Sequence, residues 1–297
     1  MLKLGIIFFI LGGILALGFI FFTGQVRKSP TKIEANQCSN EKLYDSLDDA
    51  LLEINNVCIL DLSYEHLTTL PSEIMKLSHL VELRLDNNNL TSLPADIQNL
   101  KDLQVLTIRN NQLTDLPPEI GNLSKLQVLS LRQNRLTTIP PTIKNLKELR
   151  ALGLRDNQLT SLPTEIGELV NLTDLYLGNN HLKMLPAEIA RLSSLKILSS
   201  ADNALDDLPN GFSNLTGLVI LNLRHNRFID FPPEILKMIN LKYLSLSDNS
   251  IATYPAQIKN LKKLDKIYLT HTKISIDGIA ELKQLLPSGS INTVDLE

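Results

Sequence analysis

The chain has 297 residues and a formal net charge of −3, and it contains 43% hydrophobic residues, 5% aromatic residues and no tryptophan. The small net charge and the modest clustering of basic residues argue against nucleic acid as the main partner. Nucleophile-elbow, P-loop and HExxH motifs do not occur, and the five histidines are scattered along the chain. The sequence therefore predicts no catalytic residue, no cofactor and no metal site.

The first apolar segment covers residues 4–23, which are twenty residues without a charge, preceded by Lys3 and followed by Arg27 and Lys28. About twenty apolar residues are enough to span a bilayer. We therefore predict a transmembrane anchor or signal segment at residues 1–24 and a linker at residues 25–40. A small-x-small site at Ala16 and Gly18 is followed at once by residues 19–22, which are apolar, so an uncleaved anchor is favoured over a cleaved signal peptide.

The orientation of this segment has two opposing indications. Arg27, Lys28 and Lys32 follow it, and the positive-inside rule then favours a cytosolic location for the rest of the chain. The signal-like start and the two cysteines, Cys38 and Cys58, favour the outside, because a disulfide between them would form in an oxidising compartment. Such a bond closes a loop of 21 residues and adds about 3 kcal/mol on the loop-entropy model. We predict an extracytoplasmic location, with two reduced thiols as the alternative.

Residues 41–56 are predicted to form an N-terminal capping helix. Helical spacing is shown by the apolar residues Leu43, Leu47, Ala50, Leu51 and Ile54. Ser39 or Asn40 is available as the N-cap. Such a helix would cover leucines of the following segment that would otherwise face water.

A period of 23 residues then runs from Val57 to Lys263 without an insertion or deletion. Its unit is LxxLxLxxNxLxxLPxxIxxLxx. In LxxLxL the leucines alternate, which predicts a short strand, and the stacked copies would pair these strands into one parallel sheet. The asparagine predicts a buried ladder that satisfies turn backbone groups, and the proline predicts an irregular or short-turned return. Ser200 breaks the pattern, because the other copies have Leu or Ile there.

The C-terminal copies differ from the others. Residues 277–286 have apolar groups on one helical face, and residues 291–296 repeat the LxxLxL pattern once more as a closing strand. We therefore assign residues 57–297 to one solenoid with a helical last repeat.

The form LxxLxLxxNxLTxLPxEIGxLxx, at 103–121 and 149–167, resembles the repeats of bacterial leucine-rich repeat proteins. Residues 43–51, which lead into residues 57–62, look like the leading segment of bacterial envelope members of that family. The resemblance implies an α/β fold: a curved horseshoe with its parallel sheet on the concave face, a helical N-cap and an N-terminal transmembrane or signal helix. It also implies a binding protein rather than an enzyme, anchored in the envelope or at the cell surface, or secreted if the segment is cleaved.

The concave face is the candidate binding site. The residue after LxxLxL is arginine in three successive copies, which predicts a basic ridge, and arginine and tyrosine dominate many interfaces. The candidate residues are Arg84, Arg109, Arg132, Arg155, Tyr176, Arg224, His225, Tyr243 and Tyr268. The alternative is a solvated face, partly neutralised by Asp86, Asp156 and Asp174. The predicted partner is a protein or glycan; a membrane-tethered cytosolic scaffold for signalling proteins is the alternative function, and the oligomeric state is left open.

Overall fold

A computed structural model describes residues 42–286 and 291–292, and these residues form one parallel sheet whose twelve strands follow chain order. Each strand pairs only with its predecessor and its successor along the chain. The strands are β1 Leu43–Tyr44, β2 Ile59–Asp61, β3 Glu82–Arg84, β4 Val105–Thr107, β5 Val128–Ser130, β6 Ala151–Gly153, β7 Asp174–Tyr176, β8 Ile197–Ser199, β9 Ile220–Asn222, β10 Tyr243–Ser245, β11 Lys266–Tyr268 and β12 Ile291–Asn292.

The register of the sheet keeps the period of the sequence. Leu83 is opposite Leu106, and Leu106 is opposite Leu129, so equivalent residues of successive copies lie side by side. These inward leucines are fully buried and belong to a single core that runs through all the copies. A single copy could not bury its leucines alone, and stacking is what removes them from water.

The predicted asparagine ladder is present. In Asn134, for example, the side-chain amide donates to the carbonyl oxygens of Ile108 at 2.7 Å and Leu131 at 3.0 Å, and its oxygen accepts from the backbone N–H of Leu113 at 3.0 Å. Each such side chain therefore links its own copy to the preceding one and satisfies turn groups that have no ladder partner. At the C-terminal end Thr272 takes over one of these bonds and donates to the carbonyl of Leu269 at 2.8 Å.

The return segments opposite the sheet are short 3₁₀ helices, as the prolines predict. In most copies a proline precedes the segment directly, and in the seventh copy Gly211 takes that place with φ of 81°. The segments are Ser72–Lys76, Ala95–Asn99, Pro118–Asn122, Pro141–Asn145, Thr164–Glu168, Ala187–Arg191, Phe212–Asn214, Pro233–Lys237 and Ala256–Asn260.

The start of the described chain differs from the single helix predicted over residues 41–56. Strand β1 comes first, helix α1 spans only Leu47–Leu52, and a 3₁₀ turn follows at Ile54–Asn56. Residues 43–44 leave the helix because they pair with β2, and Tyr44 is buried with its hydroxyl donating to Glu53 at 2.9 Å. The N-cap is Ser46, whose hydroxyl accepts from the N–H of Asp49, rather than Ser39 or Asn40. Ala50 is buried in the core, and a capping role for α1 stays a prediction.

At the other end helix α2 spans Ile276–Leu285, close to the predicted helix, and Ser275 is its N-cap. Strand β12 corresponds to the first part of the predicted closing strand. Within the described residues no helix has both the length and the apolar character needed to cross a bilayer. The predicted membrane segment at 4–23, the linker and Cys38 lie outside the described residues.

Candidate ligand-binding face

The open face of the sheet is the face formed by strand side chains that point away from the leucine core. Because side chains alternate along a strand, residues that flank an inward leucine lie on this face. In β3, for example, Leu83 is fully buried while Glu82 and Arg84 on either side are half-buried. This open face is the concave face of the sequence prediction.

Arg109, Arg132 and Arg155 follow β4, β5 and β6 at equivalent positions, and we call these three residues the arginine ridge. Strand spacing puts successive members about 4.8 Å apart along the backbone. The Nε of Arg109 donates to Ser130 at 3.0 Å, and the Nε of Arg132 donates to Asp156 at 3.0 Å. The Nε of Arg155 lies 3.3 Å from the same carboxylate. The three side chains are 34%, 23% and 29% exposed, so each remains accessible to a partner.

Two aspartates, Asp86 and Asp156, lie beside the ridge, and their pKa values are shifted in opposite directions. Burial raises the pKa of Asp86, and this effect outweighs the hydrogen bond from the backbone N–H of Arg109 and the charge of that residue. Burial also acts to raise the pKa of Asp156, but hydrogen bonds from Asn179 and Arg132 and the charges of Arg155 and Arg132 outweigh it and lower the pKa. The predicted partial neutralisation of the ridge therefore has a direct structural basis at these two carboxylates.

Small residues lie beside the arginine stems. Ser130 is only 1% exposed, and its hydroxyl accepts the hydrogen bond from Nε of Arg109. A Cβ built on Gly178 would meet Cγ of Arg155 at 3.6 Å, in ordinary van der Waals contact. The ridge therefore lies along the sheet, where the guanidinium groups are partly desolvated and stronger in electrostatic contacts than fully hydrated ones.

The two other predicted arginines, Arg84 and Arg224, stand apart from the ridge. The Nε of Arg84 donates to Glu82 at 2.7 Å, and its Nη1 lies 3.4 Å from Asp61. The Nε of Arg224, on the far side of two copies that have no arginine at this position, donates to Asp248 at 2.6 Å. Both side chains are thus held by carboxylates of their own or a neighbouring copy.

The predicted aromatic residues are distributed over the second half of the open face. Tyr176 ends β7, Tyr243 begins β10 and Tyr268 ends β11. Burial raises the pKa of Tyr243, with smaller contributions in the same direction from Asp265, which directly precedes β11, and from Tyr268, which ends it. The imidazole of His225 is exposed, with Nδ1 2.9 Å from Asp202.

The sequence prediction missed an apolar column on this face. The third residue of LxxLxL is aligned across the strands by the register of the sheet. From β3 to β11 the column reads Glu82, Val105, Val128, Ala151, Asp174, Ile197, Ile220, Tyr243 and Lys266. The column contains two apolar triplets, separated by Asp174. The sequence signal for it is an apolar residue at the third place of LxxLxL in the copies that contribute to the triplets.

A second missed feature is a column of residues with positive φ, located two residues after the second inward leucine. Left-handed backbone is costly for most side chains and is tolerated best by Asn and Asp. The column comprises Tyr64, Asn87, Asn110, Gln133, Asp156, Asn179, Asp202, His225, Asp248 and His271, with φ between 50° and 69°. Much of this column is therefore explained by backbone conformation, and the Asn, Asp and His content there needs no ligand.

The charge of the open face changes along the sheet. Residues 58–66 and 81–89, around β2 and β3, contain four carboxylates and one arginine. Residues 104–112, 127–135 and 150–158, around β4 to β6, contain five arginines and a single carboxylate, Asp156. A chain with an overall negative charge thus has a locally basic surface beside an acidic one.

Cys58 is 4% exposed, directly precedes β2 and is disulfide-bonded. The predicted pairing with Cys38 involves a residue outside the described ones. Among the residues that the structure describes, no group of three or more His, Cys, Asp or Glu side chains is arranged to hold a metal ion.

Two family models match the repeat region. One, described as a leucine rich repeat, matches residues 55–113, 101–159 and 217–274, which together exceed half of the chain. The other, described as a leucine-rich repeat region, matches residues 142–231. No curated protein matches the chain in sequence.

Solved structures with the same architecture come from bacteria, plants and insects. The chain is 32% identical to a Leptospira interrogans LRR protein, LIC12759, with a TM-score of 0.57, covering 85% of this chain and 83% of that one. It is 26% identical to the plant peptide hormone receptor RGFR1, solved in complex with RGF2, with a TM-score of 0.67 and coverage of 84% and 42%. Toll of Drosophila, solved in complex with Spatzle, has 25% identity, a TM-score of 0.67 and coverage of 78% and 37%. The chain therefore spans less than half of each of these two receptor chains.

Proposed function

The chain belongs to the leucine-rich repeat family, and from that premise we propose that it is a non-enzymatic binding protein whose open sheet face holds a protein partner. The observation that carries the proposal is the arginine ridge, three partly desolvated arginines on adjacent strands. Arginine in such a setting is a frequent source of interface energy. Structural neighbours solved with protein ligands support a protein partner.

We further propose that the protein is held at a membrane by residues 4–23 and is located outside the cytoplasm. The apolar length of that segment supports anchoring. The disulfide-bonded state of Cys58 is in keeping with an oxidising compartment, and Cys38 is the only other cysteine of the sequence. A glycan partner and a tethered cytosolic scaffold remain the alternative proposals.

The test is a comparison of two variants that lose the same charge. In the face variant Arg109, Arg132 and Arg155 are all changed to Gln. In the control variant Lys101, Lys125 and Lys147, which are exposed on three successive copies of the same region and lie away from the open face, are all changed to Gln. Gln is preferred to Glu, because Asp86 and Asp156 already lie beside the ridge and a reversed charge would add repulsion to the loss of contact.

Proteins captured by the full-length chain from its native envelope fraction are identified by mass spectrometry and compared between variants. We expect a partner that the control variant retains and the face variant loses, with the two variants unfolding at similar temperatures. Capture that is identical for both variants would remove the ridge from the binding site.

A further inference from the structure

Along the sheet, the open face is acidic around β2 and β3, rich in arginine around β4 to β6 and apolar at β8 to β10. This order indicates the chemistry of a partner that would fit the face. We infer that the partner contributes an extended polypeptide segment with acidic residues in one half and apolar residues in the other. The acidic half lies over β4 to β6 and the apolar half over β8 to β10. This inference rests on the proposed binding function and adds the chemistry and the register of the ligand.

The position of the acidic half follows from charge. Residues 104–112, 127–135 and 150–158 contain five arginines and one carboxylate, and Asp86 of the preceding copy is a second carboxylate beside the ridge. Arginines are still in excess, so this part of the face attracts carboxylates. Around β2 and β3 four carboxylates accompany one arginine, so an acidic segment displaced toward those strands would be repelled. Such a juxtaposition of attraction and repulsion fixes register as well as adding affinity.

The position of the apolar half follows from exposure. Val105, Val128 and Ala151 are only 8%, 6% and 7% exposed, so a partner would bury little apolar surface there and gains its energy from the arginines. Ile197 and Tyr243 are half-buried and lie on either side of Ile220 in the register of the sheet. Covering them removes apolar surface from water, which is favourable in proportion to area.

The extended conformation follows from the width of the column. Each strand contributes one apolar residue to it, and polar residues lie on both sides, such as Gln127 and Ser130 around Val128. An α-helix with its side chains is about 10 Å wide and would cover the polar columns too. A single extended chain matches a stripe one residue wide. From β4 to β10 the stripe is about 29 Å long, which corresponds to about nine extended residues.

The probe is a synthetic peptide of about ten residues, with Glu at alternate positions of one half and Val and Leu at alternate positions of the other. It is made in both sequence orders and carries a photoreactive phenylalanine analogue at one end or the other. Fluorescence anisotropy with the full-length chain in detergent gives the affinity at low ionic strength, and mass spectrometry locates the cross-links. Two control peptides are used. One has Lys in place of every Glu, and the other has the residues of the two halves in a scrambled order.

We expect at least one order of the Glu peptide to bind about tenfold or more tightly than the Lys and scrambled peptides, and to weaken as salt is added. The acidic end should cross-link around β4 to β6 and the apolar end around β8 to β10. Changing Arg109, Arg132 and Arg155 to Gln should weaken binding about tenfold, while changing Lys101, Lys125 and Lys147 to Gln should leave it nearly unchanged.

Three results would overturn the inference: equal binding of the Glu and Lys peptides, cross-links around β2 and β3 or away from the open face, and stronger binding of heparin than of the peptide. These results leave the proposed function standing if the face variant still loses its captured partner. If the face variant still binds the peptide and still captures its partner, both the inference and the proposed function are refuted.

Discussion

Asn134 shows how much one side chain can do in this fold. Its amide group makes three bonds of 3.0 Å or less to backbone groups of its own copy and of the preceding one. These backbone groups are in turns and have no sheet partner, so the side chain replaces water that the buried position excludes.

Changing Asn134 to Leu should lower the free energy of unfolding by about 2 kcal/mol or more, because the N–H of Leu113 and the carbonyl of Ile108 would be left unsatisfied at about 1–3 kcal/mol for each buried group. The carbonyl of Leu131 keeps a partner, since it also accepts from the amide of Asn157 at 3.0 Å. Urea denaturation of the full chain measures the effect. The same change at Asn122, whose exposed amide donates to the side chain of Gln98 at 2.8 Å, should alter stability by less than about 0.5 kcal/mol. Equal effects at the two sites would refute the role of the ladder.

Ser200 is the opposite case, a polar residue in a leucine position. It is fully buried, and its hydroxyl makes no hydrogen bond to any of the described residues. Leu177 and Leu223 occupy the equivalent position in the adjacent copies and are also fully buried. A smaller side chain there gives up contacts that a leucine would make.

Changing Ser200 to Leu should therefore raise the free energy of unfolding by about 1–2 kcal/mol, since it removes an unpaired polar group and restores packing. Ser199, its neighbour on the open face, is the control, and the same change there should have little effect on stability. Destabilisation by the leucine at position 200 would mean that the core has closed around the serine and is overpacked by the larger residue.

At the scale of elements, the 3₁₀ segments determine how closely successive copies can approach. Most copies have a side chain directly after the buried isoleucine, such as Gln98 or Ala190. Gly121 and Gly167 are exceptions, and a Cβ at either one would overlap the carbonyl oxygen of the next segment, at Thr142 and Glu188 respectively. The local approach of these segments thus depends on the absence of a side chain.

Changing Gly167 to Ala should lower the free energy of unfolding by about 1–3 kcal/mol, because the new Cβ would also lie 2.7 Å from Cβ of Glu188 and backbone atoms must shift. Gly178→Ala is the control, since its new Cβ would meet its nearest atom at 3.4 Å. Thermal and urea unfolding of both variants measure the difference. An unchanged Gly167→Ala protein would show that adjacent segments separate at little cost.

At the scale of the whole molecule, the repeats form a continuous core and a continuous open face, while the proposed membrane segment at residues 4–23 would determine which compartment that face meets. Alkaline phosphatase is active only outside the cytoplasm, so a fusion to the C-terminus in a bacterial host reports the side on which the solenoid lies. We expect high phosphatase activity, in keeping with the disulfide-bonded Cys58. An intact, membrane-bound fusion without activity would reverse the proposed orientation and make the cytosolic scaffold the leading function.

The local rules of the repeat could be predicted from the sequence because each is repeated in every copy. Alternation of leucines determines the strands, and the proline determines the short return. The asparagine at a fixed place after the strand determines the ladder to which Asn134 belongs. The start of the solenoid could not be predicted in the same way. Leu43 and Tyr44 have helical spacing with later residues, yet the free edge of β2 pairs with them instead.

The sequence by itself determined the number, order and register of the repeats, because a strict period of 23 residues leaves one way to stack them. Only the tertiary structure decided which side chains meet across copies. The pairing of Arg132 with Asp156, a carboxylate 24 residues away, and the column from Val105 to Tyr243 arise when strands are laid side by side. Contacts across copies depend on side-chain room and burial, and a linear pattern specifies neither.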